Sequence, residues 1–285
     1  MTKMKMYYAE LPNMGDLLNI LLMKEYFQIP VKRKTPLTAN ISGIGSGLGH
    51  FTFSHDSSLL KAVEYALGKR FPTVHVWGTG FIENKEWSNF YRNNMIFDAV
   101  RGQLTKNKVE DILGHKINTT LGDGGILAPL LVEKGIEKNK KYNVGIIPHF
   151  KEQNEPVFKK ISDKFTNAKI INLRDEPHQV IREIAQSEIV ISSSLHGLIV
   201  ADAFLVPNYH IVVTDNLLGD GFKFDDYYSA YGLSHIYSSI ENSCIDFLTE
   251  QSIIDNYRIK REMVNKMQEN MIEAFPFSYR NSFKT

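Results

Sequence analysis

Short apolar runs rich in β-branched and aromatic residues alternate with amphipathic helical patterns along nearly the whole chain. This alternation is typical of βαβ units, which build a mainly parallel sheet with helices on its faces. A single hydrophobic core stops growing at roughly 250–300 residues, so a chain of 285 residues favours two domains over one. The sequence therefore predicts an α/β protein made of two doubly wound units, with a single domain as the alternative.

A charged and polar stretch, Glu133–Tyr142, separates two series of predicted elements and is the best linker in the chain. We predict an N-terminal domain over residues 1–140 and a C-terminal domain over residues 141–285. The last helical pattern, Gln251–Phe275, carries apolar residues on one face, and a helix of this kind often packs across a domain junction. The predicted strands are Lys5–Ala9, Ala39–Ile44, Thr73–Trp77, Asn94–Val100, Asn143–Pro148, Lys169–Leu173, Glu188–Ser192 and Tyr209–Val213. The other predicted helices are Leu17–Phe27, Ser57–Lys69, Gln103–Leu113, Glu155–Phe165, Pro177–Gln186 and Leu195–Phe204.

Composition limits the partners of the protein. The 33 lysine and arginine residues nearly balance the 32 aspartate and glutamate residues, so no global positive charge would hold a nucleic acid. The lone cysteine, Cys244, has no partner for a disulfide, and no residues show the paired spacing of a zinc site, so no metal is expected. No apolar run is long enough for a transmembrane helix, and the N-terminal pattern does not fit a secretory signal. We expect a cytoplasmic protein, whose contacts with the inner face of the membrane would come through a partner or a lipid-linked substrate.

In open parallel sheets, ligands bind beyond the carboxyl ends of the strands, where helix N-termini converge. Three strands of the second series end in unusual polar residues, which are His149, Arg174 and a serine-rich segment. That segment comprises Ser192, Ser193, Ser194, Leu195, His196 and Gly197. Its hydroxyls and backbone amides would cradle a phosphate at the start of a helix. The alternatives are that the serines only cap the helix, that His149 is structural, and that Arg174 forms a local ion pair.

The first series places glycine-rich turns and one carboxylate at its strand ends. Gly15 and Asp16 open a helix, and the Asp16 carboxylate would bind sugar hydroxyls, act as a base, or only cap the helix. Trp77 lies beside a glycine-rich turn and is either a platform for a sugar or part of the core. The turn Gly43–Gly47 resembles a dinucleotide fingerprint only loosely, because its third glycine is misplaced, so NAD binding is not expected.

Seven segments occur in one order along the chain: Gly15–Asn19, Gly43–Gly47, Trp77–Gly80, Arg101–Thr105, Gly122–Leu127, Ile147–His149 and Ser192–Pro207. Together they resemble the polysaccharide pyruvyl transferase family over most of the stretch from Gly15 to about Gly232. The resemblance implies a GT-B-like fold, with two Rossmann-like domains facing a central cleft. It also implies that pyruvate passes from phosphoenolpyruvate, without a further cofactor, to sugar hydroxyls of a surface polysaccharide or its lipid-linked precursor, forming a ketal.

The resemblance assigns residues to the donor site. Leu195 and His196 match the family's Leu-His pair at the phosphoenolpyruvate site, and Arg101 matches its Arg-Gly position. Several relatives place arginine immediately before Leu-His, where this chain has Ser194. Arg101, Arg174 or His149 would then neutralise more of the donor, or the donor would differ. The resemblance gives no residues for the acceptor, which we expect to be bound by Gly15, Asn19 and Trp77.

Phosphoenolpyruvate carries a carboxylate and a phosphate of about −1.5 to −2 charges, so its pocket needs at least two cationic or amide-rich elements. We expect His196 to be the general acid, because an imidazole with a pKa near ~6.5 holds a proton around neutral pH and a bound phosphate would raise that pKa. The alternative is that His196 only binds the phosphate. Asp16 is the candidate for orienting or deprotonating the acceptor hydroxyl. The alternatives are a glycosyltransferase or nucleotide-sugar epimerase on the same architecture, and a non-catalytic protein that binds glycans or anions. The acceptor sugar and the oligomeric state stay open.

Overall fold

The computed structural model describes residues 3–9, 13–53, 63, 66–67, 70–87, 89–92, 94–214, 219–240 and 244–276. In this part of the chain, two parallel sheets follow one another along the sequence, and one two-stranded antiparallel ladder accompanies the first. The strands are β1 (Met4–Tyr7), β2 (Val31–Arg33), β3 (Ile41–Ser42), β4 (Thr52–Phe53), β5 (Val74–Thr79), β6 (Asn89–Phe90), β7 (Met95–Val100), β8 (Thr120–Leu121), β9 (Tyr142–Ile147), β10 (Ala168–Ile170), β11 (Ser187–Ser192), β12 (Asn208–Val212) and β13 (Tyr237–Ser239). The predicted α/β architecture with parallel sheets is confirmed.

Each parallel sheet grows in both directions from its first strand. The first sheet has the order β2-β1-β3-β5-β7-β8, and the second has the order β10-β9-β11-β12-β13. The chain therefore changes direction beside β1 in the first sheet and beside β9 in the second. Crevices at the carboxyl ends of such neighbouring strands are the usual ligand sites of open parallel sheets.

Eight α-helices are found within the described ranges. They are α1 (Met14–Leu21), α2 (Gln103–Leu113), α3 (Pro156–Lys164), α4 (Pro177–Ala185), α5 (Leu195–Ala203), α6 (Phe222–Ser229), α7 (Glu250–Asn256) and α8 (Arg261–Glu273). A π-helical turn over Leu22–Tyr26 extends α1, and Gly124–Leu131 is a 3-10 helix. None of the helices in these ranges is long and apolar enough to cross a membrane.

Among the α-helices, the structure differs from the prediction in two places, and one predicted helix lies outside the comparison. The predicted helix Gln251–Phe275 is two helices, because the backbone is extended at Tyr257 and Lys260. The predicted helix Ser57–Lys69 lies almost entirely outside the described residues. Helix α6 was not predicted, and it carries a residue of the site described below.

The C-terminal helix α8 packs against the first sheet although it follows the second sheet in sequence. The indole Nε1 of Trp77 in β5 donates a hydrogen bond to the carbonyl oxygen of Met271 at 2.9 Å. Phe275 stacks on Phe27, with 3.8 Å between the ring centroids. One apolar cluster contains buried residues from both sheets, from Met6 in β1 to Ile147 in β9. The domain boundary at residue 140 stays a prediction.

Candidate functional site

A cavity of about 260 Å³ opens where the carboxyl ends of the two sheets meet. Its walls come from the segments after β1, β3 and β5 in the first sheet and after β9 and β11 in the second, and from the start of α6. This is the place where both sheets change direction. The lining residues are Tyr7, Tyr8, Ala9, Asn13, Asp16, Ser42, Ile44, Gly45, Ser46, Gly47, His50, Thr79, Ile82, His149, Phe150, Lys151, Leu173, Ser194, Leu195, His196 and Lys223.

The serine-rich turn before α5 divides into residues that shape the turn and residues that face the cavity. Ser192 Oγ donates to the Ile147 carbonyl at 3.1 Å and accepts from the Ser194 amide at 2.9 Å. Gly197 leaves room for that hydroxyl, since a Cβ at this position would lie 2.6 Å from Ser192 Oγ. Ser193 is buried, and its hydroxyl is hydrogen-bonded to Glu152 and to the His149 amide. Neither Ser192 nor Ser193 lines the cavity.

Ser194 and Leu195 line the cavity at the N-terminus of α5. Ser194 is the N-cap residue, but its side chain makes no capping hydrogen bond. The first N–H groups of an α-helix have no partner inside the helix, and the helix dipole places partial positive charge there. The turn therefore presents an anion-binding end of a helix to the cavity.

His196 lies in the first turn of α5 and is packed against α1. A Cβ at Gly15 would come within 2.1 Å of the His196 Nδ1 atom, so only glycine leaves space for the imidazole. The Nε2 atom of His196 is buried and has no hydrogen-bond partner in the structure. Burial, followed by the positive charges of Lys223 and Arg101, lowers the pKa of His196 to about 3. The imidazole is therefore neutral near pH 7 in this structure, whereas the sequence analysis expected a pKa near ~6.5.

Asp16 lines the cavity from the first turn of α1. Asn13 caps this helix by accepting from the Asp16 amide at 3.2 Å, and its Nδ2 donates to Asp16 Oδ2 at 2.6 Å. Burial raises the pKa of Asp16 to about 6, against the opposing effect of the Asn13 hydrogen bond. A carboxyl group with this pKa, held through one oxygen, is suited to accept a proton near neutral pH.

Lys223 is one of the cavity residues that the sequence analysis missed, with Tyr7, Tyr8, Asn13 and Lys151. It is 9% exposed, and its Nζ lies 5.2 Å from the centroid of the Phe224 ring. Burial and the charge of Arg101 lower the pKa of Lys223 to about 8. The sequence signal that could have identified Lys223 is a lysine between two phenylalanines, shortly after a glycine. This glycine, Gly221, is the N-cap residue of α6 and has a φ of 88°, in the left-handed region.

Arg101 is fully buried and does not line the cavity. Its Nε donates to Asp226 Oδ2 at 2.9 Å, its Nη1 donates to Ser46 Oγ at 2.7 Å, and its Nη2 donates to the Phe81 carbonyl. Asp226 also accepts from the backbone and hydroxyl of Thr105, both at 2.7 Å. The guanidinium is thus occupied in joining β7 to α6, one turn of helix away from Lys223.

His149, Lys151 and Arg174 lie along the second-sheet side of the cavity. His149 and Lys151 line it. Burial, followed by Lys223 and Lys151, lowers the pKa of His149 to about 3. Arg174 is exposed, and its guanidinium carbon lies 5.7 Å from the centroid of the Phe150 ring, which lines the cavity. Arg174 is therefore a residue of the rim.

Two of the residues assigned to the acceptor have structural contacts instead. Asn19 is buried, and its Oδ1 accepts a hydrogen bond from the Ile44 amide at 2.8 Å. Its Nδ2 donates to the Ile44 carbonyl at 3.1 Å, so the two bonds fix the turn after β3. Trp77 is fully buried between Phe27 and Phe275. No face of its indole is open, so the geometry gives no support to its role as a sugar platform.

The fold and the site define a doubly wound α/β protein with a lysine- and histidine-lined cavity at the carboxyl ends of two parallel sheets. The chain belongs to the polysaccharide pyruvyl transferase family, whose sequence profile matches residues 13–216. The resemblance read from the seven segments is confirmed.

Two relatives show how far the similarity extends. The succinoglycan biosynthesis protein ExoV of Rhizobium meliloti (strain 1021) is 29% identical over 243 residues, which cover 81% of this chain and 66% of ExoV. An uncharacterised protein of Acanthamoeba polyphaga mimivirus is 26% identical over 160 residues, 55% of each chain. This chain therefore spans 66% and 55% of the lengths of these relatives. A crystal structure of a functionally uncharacterised protein from Klebsiella pneumoniae subsp. pneumoniae NTUH-K2044 aligns at a TM-score of 0.43 and 14% identity, over 80% of this chain and 87% of that one.

Proposed function

We propose that this protein transfers the pyruvyl group of phosphoenolpyruvate to two hydroxyls of a sugar in an exopolysaccharide or its lipid-linked precursor, forming a pyruvate ketal. The observation that carries the proposal is one cavity that is lined by Lys223, by the N-terminus of α5 and by Asp16. Family membership and the similarity to ExoV, a succinoglycan biosynthesis protein, support it. We also propose that the two sheets form the halves of a GT-B-like arrangement, and that a lipid-linked acceptor brings the protein to the inner face of the membrane.

The donor subsite in this proposal consists of Lys223, His149, His196 and the free amides of α5. A phosphate dianion and a carboxylate require several donors that water does not screen, and Lys223 is 9% exposed. Several relatives have arginine at the position of Ser194, so this chain lacks one cation there. In this subsite, the positive charge of the nearby Lys223 takes its place. Arg101 acts at a distance, by fixing α6 through Asp226.

The acceptor subsite in this proposal consists of Asp16, Asn13 and the aromatic side chains Tyr7 and Tyr8, which also line the cavity. Burial raises the pKa of Tyr7 to about 12, so its phenol stays neutral and donates hydrogen bonds. Tyrosine rings combine an apolar face with a polar tip and therefore suit the alternating surfaces of a sugar ring. Gly15 contributes by leaving space for His196.

The reaction adds two hydroxyl oxygens to C2 of the donor. Protonation of the methylene C3 of phosphoenolpyruvate makes C2 electrophilic, and the first sugar hydroxyl attacks C2 and loses its proton. The C2–O bond to phosphate then breaks, phosphate leaves with that electron pair, and the second hydroxyl attacks C2 and loses its proton. One proton is taken up at C3 and two are released, so the products are the ketal and hydrogen phosphate. No step requires a metal ion or a further cofactor.

The free protein and the complex differ in protonation under this proposal. Without a bound anion, His196 is neutral because of its lowered pKa, so it can act as an acid only after a nearby anion raises that pKa. A bound phosphate supplies this effect. Asp16, with a pKa of about 6, is mostly ionised at pH 7 and accepts the hydroxyl proton. Donor binding is therefore expected to take up protons from solution.

The proposal is tested by phosphate release from phosphoenolpyruvate with and without a series of glycan acceptors, and by donor binding in calorimetry. We expect phosphate release only with a suitable glycan, and donor binding with net proton uptake in buffers of different ionisation enthalpy. Lys223→Met is expected to weaken donor binding by 10- to 100-fold, since a charge-assisted hydrogen bond contributes about 1.5–3 kcal/mol. His196→Ala is expected to abolish phosphate release.

Lys108→Met is the matched control for Lys223→Met. The Lys108 Nζ lies 5.4 Å from the centroid of the Phe222 ring, so both lysines contact a phenylalanine of α6, but Lys108 lies outside the cavity. This variant should bind the donor like wild type. Stabilisation by a uridine diphosphate sugar but not by phosphoenolpyruvate would refute the proposal in favour of a glycosyltransferase or epimerase.

A further inference from the structure

Glu152 is a buried carboxylate in the turn after β9, 1% exposed and outside the lining of the cavity. Its Oε2 accepts a hydrogen bond from Ser193 Oγ at 2.6 Å, and its Oε1 accepts from Thr214 Oγ1 at 2.7 Å. Its backbone amide donates to the His149 carbonyl at 2.7 Å. Both carboxylate oxygens receive a hydroxyl proton, which is the pattern of an ionised carboxylate.

These hydrogen bonds join the carboxyl ends of three neighbouring strands. Glu152 belongs to the turn after β9, Ser193 follows β11, and Thr214 follows β12. Ser193 Oγ also accepts from the backbone amide of His149 at 2.9 Å. Glu152 therefore fixes the turn that carries His149 and Lys151 against the turn that begins α5.

Glu152 also provides negative charge close to Lys223. The charged and titratable groups that act on Lys223 or respond to it are Arg101 after β7, His149 and Lys151 after β9, His196 in α5, His210 in β12, and Glu152. Of these groups, only Glu152 is an anion. Burial and Arg101 lower the pKa of Lys223 to about 8, while Glu152 acts in the opposite direction.

We propose that Glu152 is a positioning residue of the donor site, which anchors the turns carrying His149 and Ser194 and supplies negative charge to the surroundings of Lys223. This inference rests on the proposed role of Lys223 as a ligand of the donor. Glu152 touches neither substrate, and it acts through the residues that do. Its contribution is therefore visible in how donor affinity depends on pH.

The experiment measures the dissociation constant of phosphoenolpyruvate by calorimetry between pH 6.5 and 9.5, for wild type and Glu152→Gln. In wild type, we expect binding to weaken as the pH rises through the pKa of Lys223, by up to about tenfold for each pH unit above it. Removing the carboxylate charge should move this alkaline weakening to lower pH, because the effect of Glu152 on the pKa of Lys223 opposes that of burial and Arg101. At pH 8 the variant is then expected to bind several-fold more weakly than wild type.

Ser193→Ala and Glu152→Asp separate charge from structure. Ser193→Ala removes one hydrogen bond to the same carboxylate but keeps its charge, so it should weaken binding by a similar factor at every pH. Glu152→Asp keeps a carboxylate and should keep the midpoint of the alkaline weakening near that of wild type. Glu152→Asp also tests the proposal if Glu152→Gln does not fold, because a midpoint clearly below that of wild type would contradict it.

Two failures can be told apart. If Lys223→Met binds phosphoenolpyruvate like wild type at every pH, the donor role of Lys223 falls, and the role of Glu152 falls with it. If Lys223→Met loses affinity but Glu152→Gln keeps the wild-type midpoint, the donor role stands and the role of Glu152 is refuted. A shifted midpoint in Glu152→Gln, with an unshifted one in Ser193→Ala, supports the proposal.

Discussion

The Arg101–Asp226 pair allows a quantitative test of how the first sheet is joined to α6. Both side chains are completely buried, and the Arg101 Nε lies 2.9 Å from Asp226 Oδ2. Asp226→Asn keeps the shape of the side chain but removes the charge that neutralises Arg101. The amide nitrogen of the variant would also place N–H donors against the donors of Arg101 or Thr105.

The expected loss follows from the cost of an uncompensated buried charge. Removing one partner of a buried ion pair typically destabilises a protein by about 3–5 kcal/mol. For a chain of this size, each kcal/mol lowers the melting temperature by roughly 2–4 °C, so we expect a decrease on the order of 10 °C. Replacing both partners, as in Arg101→Met with Asp226→Leu, should cost less than the sum of the single changes, because no charge remains buried alone.

The assay is urea unfolding followed by far-ultraviolet circular dichroism, together with thermal melting. The control is Asp163→Asn, since Asp163 is 61% exposed and pairs with Lys159 on the surface of α3. Exposed pairs of this kind contribute about 0.5 kcal/mol or less. If Asp226→Asn loses no more stability than Asp163→Asn, the argument that this pair fixes α6 is wrong.

Three further predictions concern single side chains. Gly15→Ala should lower kcat/KM for phosphate release by 100-fold or more, with little change in circular dichroism. A Cβ at this position would lie 2.1 Å from the His196 Nδ1 atom and would displace the imidazole. Displacement of a reacting group by about 1 Å can reduce the rate by ~10²-fold. Between pH 8 and 5, wild type should lose about 2 kcal/mol of unfolding free energy relative to His196→Asn. The reason is that the pKa of His196 is lowered to about 3 in the folded protein, while the unfolded chain takes up the proton below ~6.5. Urea unfolding of both proteins at both pH values measures the difference. The comparison with a variant is needed because burial raises the pKa values of Asp123 and Asp202 to about 7, which acts on stability in the opposite direction. Trp77→Phe should cost about 1–3 kcal/mol in urea unfolding through the lost hydrogen bond to α8, while donor affinity in calorimetry stays at the wild-type value.

Periodicity and strand ends were sufficient to predict the architecture and part of the site. The alternation of strands and helices indicated parallel sheets, and the rule that ligands bind beyond the carboxyl ends of strands led to Asp16, His149 and His196, all of which line one cavity. These residues could be found because each directly follows a strand or opens a helix. Their position depends on local sequence alone.

The remaining features depend on contacts between distant parts of the chain. Arg101 and Asp226 are 125 residues apart, and Trp77 and Met271 are 194 residues apart. Nothing in the local pattern distinguishes an arginine that binds a ligand from one that binds a buried aspartate. Lys223 was missed for a related reason, because a short helix after a glycine turn has too few residues to show a period.

The segment from Arg101 to Thr105 illustrates how a docking surface can resemble a ligand site in sequence. Helix α2 has no side-chain cap at its N-cap residue Gly102, and a Cβ there would lie 1.7 Å from the Asp226 carbonyl oxygen. The caps come from α6 instead, because Asp226 accepts from the Thr105 amide and Ser229 Oγ accepts from the Gln103 amide at 2.9 Å. The same helix N-terminus that would suit a phosphate is thus filled by a carboxylate of the chain itself. This docking fixes α6, whose first turn carries Lys223 to the cavity. Under the proposed function, the Arg-Gly motif would therefore act on donor binding through α6 rather than by contact.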